Sequence, residues 1–235
     1  MSTSPATAML APRTVRPGAI FWIVGSLQFV VGMIVTQVGY PNYSITGNYI
    51  SDLGAVNCGK FGGEGAFAGD YVCSPWHLVF NISIILLGIF LIIGAVLVFR
   101  ALGSRGFSLV GAGLLIVAGI GAIGVGVFPE DVNLPNHILF ATLAFAGSGL
   151  ALVVLGIGML RSGPWRGYGG YTIISGLVGL TALVLFLEKA YGPLGVGGME
   201  RLIVAPVLLW AIVAGIHLAR FPTLARRVPP GPEPS

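Results

Sequence analysis

The sequence predicts an all-α integral membrane protein, a polytopic bundle of six transmembrane helices with both termini in the cytoplasm. The mean hydropathy is +0.93, and only 9 % of the 235 residues are charged. Several continuous apolar runs exceed about 18 residues, the length at which a membrane-spanning helix becomes the default interpretation. The runs do not alternate between apolar and polar residues as the strands of a membrane β-barrel do, so the spans are helices.

Six predicted spans account for these runs, and the last two are the shortest. The connections "RALGSRG" and "RSGPWRGYGG" are short, so the helices that they join are antiparallel neighbours in one compact bundle. The predicted spans are Ala19–Val38, Leu78–Phe99, Phe107–Phe128, Ile138–Leu160, Tyr171–Leu187 and Leu202–Leu218.

The arginines and lysines predict the orientation of the bundle. If the spans alternate in direction, nine of the twelve basic residues fall on the side of the termini, and only Lys60, Lys189 and Arg201 fall on the other. Cytoplasmic loops are enriched in Lys and Arg, so the arginine-rich side is the cytoplasm and the protein is a multi-pass protein of the cell membrane. The nine are Arg13, Arg16, Arg100, Arg105, Arg161, Arg166, Arg220, Arg226 and Arg227.

The acidic residues collect at the opposite, outer face. All but Glu233 of the eight fall there, although acidic residues contribute little to orientation, so this asymmetry indicates a separate cause. The formal charge of +4 does not predict nucleic-acid binding, because the basic residues are scattered in short turns where anionic lipid headgroups are their natural partners. Membrane lipids are therefore the expected partners, and nucleic acid is not.

The chain divides into one transmembrane domain, residues 18–220, and two tails. Residues 1–17 are small, polar and proline-containing, and residues 221–235 are rich in proline, so both tails are predicted to be disordered and cytoplasmic. The longest connection, the outer loop at residues 40–76, exceeds what a simple link needs, and loops of that length usually have a function or structure of their own.

The only two cysteines, Cys58 and Cys73, both lie in this outer loop. An oxidising exterior favours a disulfide between them, which in the chain-entropy model contributes about 3 kcal/mol for a loop of about 15 residues. The alternative is a pair of free thiols. Metal binding by these two residues alone is not expected.

Glycines recur at spacings of two, three or six residues in the third span, and the fourth carries "AGSGL" and "GIG". Small residues let helix backbones approach closely where hydrophobicity cannot drive association, so we interpret these glycines as packing surfaces. They also offer a surface for homo-oligomers. Hinge glycines in a moving helix are the alternative.

Polar residues from every helix after the first lie at one level, at the outer end of the bundle. Closed together, they would form a polar pocket. Each also has a simple structural explanation: Asp52 as the cap of a short helix beginning at Leu53, Glu200 as a partner of a helix dipole, and the histidines as interface anchors. The residues are Ser51, Asp52, His77, Asn81, Glu130, Asp131, Asn136, His137, Glu188, Lys189, Glu200 and Arg201.

Three segments carry a resemblance to a known family. "NYISDLG", "VGVFPED" followed by "NHILFA", and "GGMERLIVAPVLLW" resemble the membrane family catalogued as domain of unknown function 998, whose members have six helices. "ISDLG" is also similar to the "ISDTG" stretch of the damage-regulated autophagy modulator family. The resemblance implies the six-helix architecture and marks Asn48, Ser51, Asp52, His137, Glu200 and Arg201 as the positions to examine.

The first functional hypothesis is an enzyme that acts on a lipid or isoprenoid at the outer leaflet. Asp52, His77, His137 and Glu200 are its candidate catalytic residues. His77 and His137 with a carboxylate would suffice to hold a divalent metal such as Zn²⁺. A metal-free version uses a carboxylic acid whose apolar surroundings disfavour ionisation, as in membrane-bound terpene cyclases. The candidate substrate-binding residues are Asn48, Ser51, Asn81, Glu130, Asp131 and Arg201.

Two other functions fit the same residues. In a non-catalytic lipid-binding, scaffold or regulatory protein, the polar groups form a network that locks the outer helix ends together. A transporter ranks below both, because transport favours ionisable groups near the bilayer midplane and the spans are nearly free of charge there.

Overall fold

The computed structural model describes residues 11–60, 71–162 and 165–220, with side chains from residue 14 onward. Within this part of the chain, the six predicted helices are confirmed, and each is long and apolar enough to cross a membrane. They are α1 (Ala11–Val38), α2 (His77–Val98), α3 (Arg105–Val127), α4 (Leu134–Leu160), α5 (Arg166–Leu187) and α6 (Gly195–Arg220).

All six helices begin earlier than predicted, and α1, α5 and α6 do so by five residues or more. Residues 11–17, predicted as part of a disordered tail, belong to α1, because Val15 is buried against the core at 2 % exposure and extends the apolar face of the helix. α5 and α6 are not short, because their first turns contain glycine and charged residues that a hydropathy pattern does not assign to a span. Glu200 and Arg201 therefore lie within α6. Residues 1–10 and 221–235 lie outside the described residues.

The helices form a closed ring. Each helix packs on the next one in sequence, and α6 returns to pack on α1. Glycines bring neighbouring backbones together: a Cβ at Gly121 of α3 would overlap the backbone of Ala144 in α4, and one at Gly88 of α2 would overlap the carbonyl of Gly119 in α3. Gly113, by contrast, has open space beside it.

Two tryptophans tie the ring together in its arginine-rich half. Trp22 donates from Nε1 to the Leu91 carbonyl of α2 at 3.2 Å, and Trp210 donates to the Thr172 hydroxyl of α5 at 3.0 Å. Their rings meet at a centroid distance of 5.1 Å, and both side chains are fully buried. The indole N–H groups thus find partners inside the bundle while the rings fill the α1–α6 junction.

The outer loop carries a small hairpin. Strands β1 (Gly59–Lys60) and β2 (Tyr71–Val72) pair antiparallel, with Gly59 opposite Val72. The predicted disulfide between Cys58 and Cys73 is confirmed and lies at the base of this hairpin. Residues 61–70, with Glu64 and Asp70, lie outside the described residues. We call the end of the bundle that carries this loop the outer face; its orientation in the cell remains the prediction drawn from the arginines.

Candidate functional site

A buried segment of the outer loop closes the outer end of the ring. We call residues 44–57 the outer plug. Its centre is a 3-10 turn, Ser51–Gly54, in which every residue is buried and Leu53 is completely covered. Leu53 and Ile50 pack with Phe29 and Phe80 of α1 and α2. These apolar side chains point into the bundle and bring the polar residues between them below the surface.

Asp52 organises the plug from within. Its Oδ2 accepts hydrogen bonds from Nδ2 of Asn48 at 2.8 Å and from the backbone N–H of Tyr49 at 3.0 Å. Asp52 is only 3 % exposed. The turn begins at Ser51, so Asp52 lies inside it and bonds backwards, rather than capping a helix that begins at Leu53. Two donors on one oxygen stabilise negative charge at that atom.

Helix α6 holds the plug from one side. The Glu200 carboxylate accepts the backbone N–H of Ile50 at 2.5 Å, and Glu200 itself is 6 % exposed. The Arg201 guanidinium donates to the Ile45 carbonyl at 3.0 Å and to the Tyr43 hydroxyl at 2.7 Å. Tyr43 in turn donates to the Tyr49 carbonyl at 2.7 Å. Adjacent residues of one helix thus anchor the start and the middle of the plug.

Glu130, in the turn between α3 and α4, reaches the plug from the other side. Its carboxyl group interacts with the carboxyl group of Asp52 and the hydroxyl of Ser51. The Glu130 residue is 8 % exposed. Burial raises the pKa of Glu130 well above its ordinary value, and the neighbouring charge of Asp52 raises it further. Among the described residues, no hydrogen-bond partner lies at Oε2 of Glu130. Of the two carboxyl groups, Glu130 is therefore the one whose surroundings disfavour the charged form.

Asp131, the next residue, binds the end of the plug. Its carboxylate accepts the backbone N–H of Val56 at 3.1 Å, and the backbone N–H and side-chain amide of Asn57 at 2.8 and 2.9 Å. These contacts are close to the surface, so Asp131 acts as a clamp on the loop rather than as part of the buried pair.

Two side chains below the plug satisfy its carbonyl groups. Asn81 of α2 donates from Nδ2 to the Gly54 carbonyl at 2.9 Å, and the Ser74 hydroxyl donates to the Leu53 carbonyl at 2.7 Å. Both donors are buried. The backbone of the turn can therefore lie away from water without leaving these polar groups unpaired.

The two outer histidines have separate surroundings. His137 is 6 % exposed and donates from Nδ1 to the Phe128 carbonyl at 2.9 Å. His77 is half-buried and donates from Nδ1 to the Ser74 carbonyl at 2.9 Å. Within residues 11–60, 71–162 and 165–220, no three His, Cys, Asp or Glu side chains form a group placed to hold a metal ion. The predicted metal site at His77 and His137 remains a prediction without a ligand set.

An apolar cavity lies directly beneath the plug, inside the ring. The centres of water-sized spheres can occupy about 80 Å³ of it, which corresponds to about five to eight such spheres and fits a short segment of a hydrocarbon chain. Ser51, Glu200 and His137 line its outer end. Below them the wall is almost entirely apolar and includes Phe29, Phe80, Ile84, Leu87, Leu91, Ala118, Ala122, Val125, Ala141, Ala144, Phe145, Val204, Val207, Leu208 and Ala211.

The structure brings most of the predicted site residues together. Eight of the ten candidate catalytic and substrate-binding residues meet in and around the plug: Asn48, Ser51, Asp52, Asn81, Glu130, Asp131, Glu200 and Arg201. Sequence reasoning missed the hydrogen-bonded tyrosines, Tyr43 and Tyr49, and it missed the cavity. A signal for the cavity is present in the small residues one turn apart on α3, Ala118 and Ala122, and in Ala141, Ala144 and Ser148 on α4.

Comparison with known proteins places this site inside one family. The model of a family described as "Protein of unknown function (DUF998)" matches residues 23–217, which include the plug and every residue that lines the cavity. No curated protein and no solved structure matches the chain significantly. The resemblance drawn from "NYISDLG" and the two later segments is confirmed; the similarity to the damage-regulated autophagy modulator family is not.

Proposed function

We propose that this chain, which belongs to the DUF998 family, is a membrane enzyme that binds an isoprenoid or related lipid in the cavity and protonates it there. The observation that carries the proposal is the composition of the cavity wall. One end is formed by Ser51, Glu200 and His137, and the remainder is apolar except for Ser26 and Ser148. Ligand sites have this composition, with a few polar groups that orient the ligand at one end of an apolar pocket.

The carboxyl pair beside the cavity supplies the proton in this proposal. Glu130 is kept protonated by burial and by Asp52, while two N–H donors stabilise negative charge on Asp52. Paired carboxyl groups whose environments favour opposite protonation states are typical of acid–base sites. Glu130, a candidate substrate-binding residue in the sequence, therefore becomes the acid in this proposal, and Asp52, a candidate catalytic residue, becomes the residue that holds Glu130 neutral.

Ser51 connects this pair to the ligand. Its hydroxyl interacts with the Glu130 carboxyl group, and the residue also lines the cavity. A proton leaving Glu130 can pass to the Ser51 oxygen as the Ser51 proton passes to the ligand, so the Ser51 oxygen keeps its two bonds and Glu130 is left as a carboxylate. Loss of a proton from the resulting carbocation, by the same relay in reverse, returns Glu130 to its protonated form. Protonation of an isoprenoid double bond generates a carbocation, which an apolar, water-poor wall protects from capture by water.

His137 and Glu200 complete the polar end. Because Nδ1 of His137 donates to a carbonyl, Nε2 of the neutral ring is an acceptor, which suits a ligand hydroxyl. Glu200 holds the plug through Ile50 while it lines the same cavity.

Ligand binding is tested with a variant that fills the cavity. Ala122→Phe places a ring in the void, and the matched control Val117→Phe places one on the exposed side of the same helix. Native mass spectrometry of the purified protein with added geranylgeraniol should show a bound molecule in the wild type and in the control but not in Ala122→Phe. If Ala122→Phe melts at the same temperature as Val117→Phe and still binds geranylgeraniol as the wild type does, the cavity is not the binding site.

Proton transfer is tested separately with the same isoprenoid. In D₂O, the wild type should incorporate deuterium at carbon atoms of geranylgeraniol, and Glu130→Gln should bind the isoprenoid without this incorporation. Incorporation at the wild-type rate by Glu130→Gln would show that Glu130 is not the acid.

A non-catalytic structural lock is the second candidate, and one observation favours it. Hydrogen bonds tie the plug to α2, α6 and the α3–α4 turn. Asn81 donates to the plug, and Glu200 and Asp131 accept from its backbone N–H groups. In that case, Asp52→Asn places a side-chain NH₂ group where the carboxylate accepted hydrogen bonds, and it lowers the free energy of unfolding by about 1–3 kcal/mol. The melting temperature in detergent should fall accordingly. An unchanged melting temperature counts against the lock.

Transport stays the lowest of the three functions. The described helices carry their Asp, Glu, Lys and Arg residues near their ends, whereas a transporter places ionisable groups at the midplane.

A further inference from the structure

We infer that the ligand enters the cavity sideways from the membrane, as the chain of an anionic lipid, through a groove between α1 and α6. This inference rests on the proposed function, because it names the route and the charge of the molecule that the cavity receives. Five features of the α1–α6 junction support it: the position of the groove, its shared wall with the cavity, the absence of a connecting loop, the proline in α6, and the charge at the outer end of the groove.

The groove lies on the outside of the ring, in the outer half of the bundle. The centres of water-sized spheres can occupy about 290 Å³ of it, more than inside the cavity. It is bordered by exposed apolar side chains that would face lipid, such as Leu209, which is 57 % exposed. Its lining residues are Val30, Met33, Ile50, Arg201, Val204, Ala205, Leu208, Leu209 and Ile212.

Groove and cavity share part of their wall. Ile50, Val204 and Leu208 line both spaces. A single layer of side chains therefore separates the lipid-facing groove from the interior, and all three are aliphatic. Displacement of this layer moves only aliphatic side chains, so the passage itself places no polar side chain in hydrocarbon, which is the costly event inside a bilayer.

The α1–α6 junction is the one neighbour contact of the ring that no loop bridges. Its inner half is tightly packed: a Cβ at Gly215 would overlap Ile23 and the Ala19 carbonyl, and Trp22 meets Trp210. Its outer half contains the groove. The junction can therefore open at the outer end while the inner end holds the ring closed.

Proline weakens α6 at the level of this shared wall. Pro206 lies inside the helix between Val204 and Leu208. A proline has no N–H to donate to the carbonyl four residues earlier, here that of Leu202, so the helix lacks one hydrogen bond at this point. The segment that carries Val204 can bend about this position with less resistance than an unbroken helix offers.

Arg201 lines the outer end of the groove and sets the charge of the occupant. Its three hydrogen bonds go to uncharged oxygens: the carbonyls of Ile45 and Gly197 and the hydroxyl of Tyr43. These bonds orient the guanidinium and bring no negative charge to it, while the neighbouring Glu200 carboxyl group interacts with it electrostatically. A phosphate or carboxylate headgroup at that level complements it while the attached chain lies along the apolar groove.

Photolabelling in nanodiscs tests the route. The protein is placed in phosphatidylcholine nanodiscs containing a phosphatidylglycerol with a diazirine at the end of one acyl chain, and labelled positions are mapped by mass spectrometry. We expect labels at Ala118 and Ala122, which line the cavity and are buried from lipid. The same diazirine lipid with a phosphocholine headgroup should label these positions less.

A pair of tryptophan variants separates the route from the binding site. Ala205→Trp fills the groove, and Val184→Trp adds the same side chain to the exposed face of α5. Cavity labelling should fall about tenfold in Ala205→Trp, which corresponds to about 1.4 kcal/mol added to the entry barrier, and stay at the wild-type level in Val184→Trp.

Three other outcomes would each contradict one part of the inferred entry route. Undiminished cavity labelling in Ala205→Trp overturns the α1–α6 route and leaves the proposed function standing. Equal labelling by the two headgroups overturns the role of Arg201. Absence of cavity labelling in the wild type, with labels confined to exposed positions, overturns both the route and lipid binding in the cavity.

Discussion

Glu130 and Asp52, which lie 78 positions apart in the sequence, share an interaction between their carboxyl groups at the outer end of the bundle. Two carboxyl groups in contact cannot both carry full charge without strong repulsion. The donors around Asp52 and the burial of Glu130 place the proton on Glu130. This contact joins the outer plug to the α3–α4 turn and makes their association dependent on pH.

Glu130→Gln should change how stability varies with pH. The folded-state pKa of Glu130 lies above the value of about 4.3 for an unfolded chain. Between these two values the folded state binds more protons than the unfolded state, so stability falls as pH rises, by up to about 1.4 kcal/mol per pH unit. Glutamine does not titrate. The melting temperature of the wild type in detergent should therefore fall, relative to that of Glu130→Gln, from about pH 4.5 upward.

The variant Glu188→Gln controls for the loss of a carboxyl group in general, because Glu188 is exposed at the end of α5. Its pH profile should follow that of the wild type. If Glu130→Gln also follows the wild type across the whole range, Glu130 does not hold a proton in the folded state.

Asp131→Ala should release the end of the plug without unfolding the bundle. The carboxylate binds the backbone N–H groups of Val56 and Asn57, and their hydrogen exchange depends on these bonds. Hydrogen–deuterium exchange of the peptide that contains both residues should accelerate, while exchange of α3 stays slow. Wild-type exchange at Val56 and Asn57 would show that Asp131 is not their clamp. Glu188→Ala serves as the matched control.

Gly121→Ala should destabilise the α3–α4 contact, because the added methyl group overlaps the backbone of Ala144 and the Phe140 carbonyl. Overpacking of this kind costs about 1–3 kcal/mol. Gly113→Ala, on the same helix with nothing within 4 Å, should leave stability unchanged or raise it by the helix propensity of alanine. Thermal melting of both variants in detergent measures the difference. Equal melting temperatures would contradict the close approach of the two helices.

Reduction of the Cys58–Cys73 disulfide should loosen the outer loop. The sequence separation is 15 residues, for which the chain-entropy model gives about 3 kcal/mol. The melting temperature should therefore fall on reduction, and iodoacetamide should modify the cysteines only after reduction. Cys58→Ser/Cys73→Ser, which contains no cysteine, should melt at the same temperature with and without reductant. Modification of the unreduced, folded protein would indicate free thiols.

The sequence was sufficient to predict the helices because a bilayer imposes length and polarity on each span. It failed at the ends of helices. Glu200 and Arg201 were expected at the opening of a helix, yet they lie within α6, since Gly197 packs beneath the plug and extends the helix outward. A hydropathy pattern does not register a turn whose stability comes from such a tertiary contact.

The sequence was sufficient to predict which residues form the candidate site, but it was not sufficient to predict the role of each residue. Asp52 and Glu130 are both carboxylic acids with polar neighbours in sequence, and nothing local distinguishes the residue that keeps the proton. The distinction arises from long-range contacts: Tyr49 and Asn48 turn their N–H groups to Asp52, whereas burial isolates Oε2 of Glu130. The histidines were expected to converge, but each donates to a separate backbone carbonyl.

The closed ring of helices also constrains the order of assembly. Five of its contacts join helices that follow one another in the chain, so each can form as soon as the second helix of the pair leaves the ribosome. Helix α1, however, can pack on α6 only after α6, the last helix, has been synthesised. Until then, the surface of Trp22 and Ala19 stays uncovered in the bilayer. Nascent chains interrupted before α6 should consequently be recognised and degraded as incomplete.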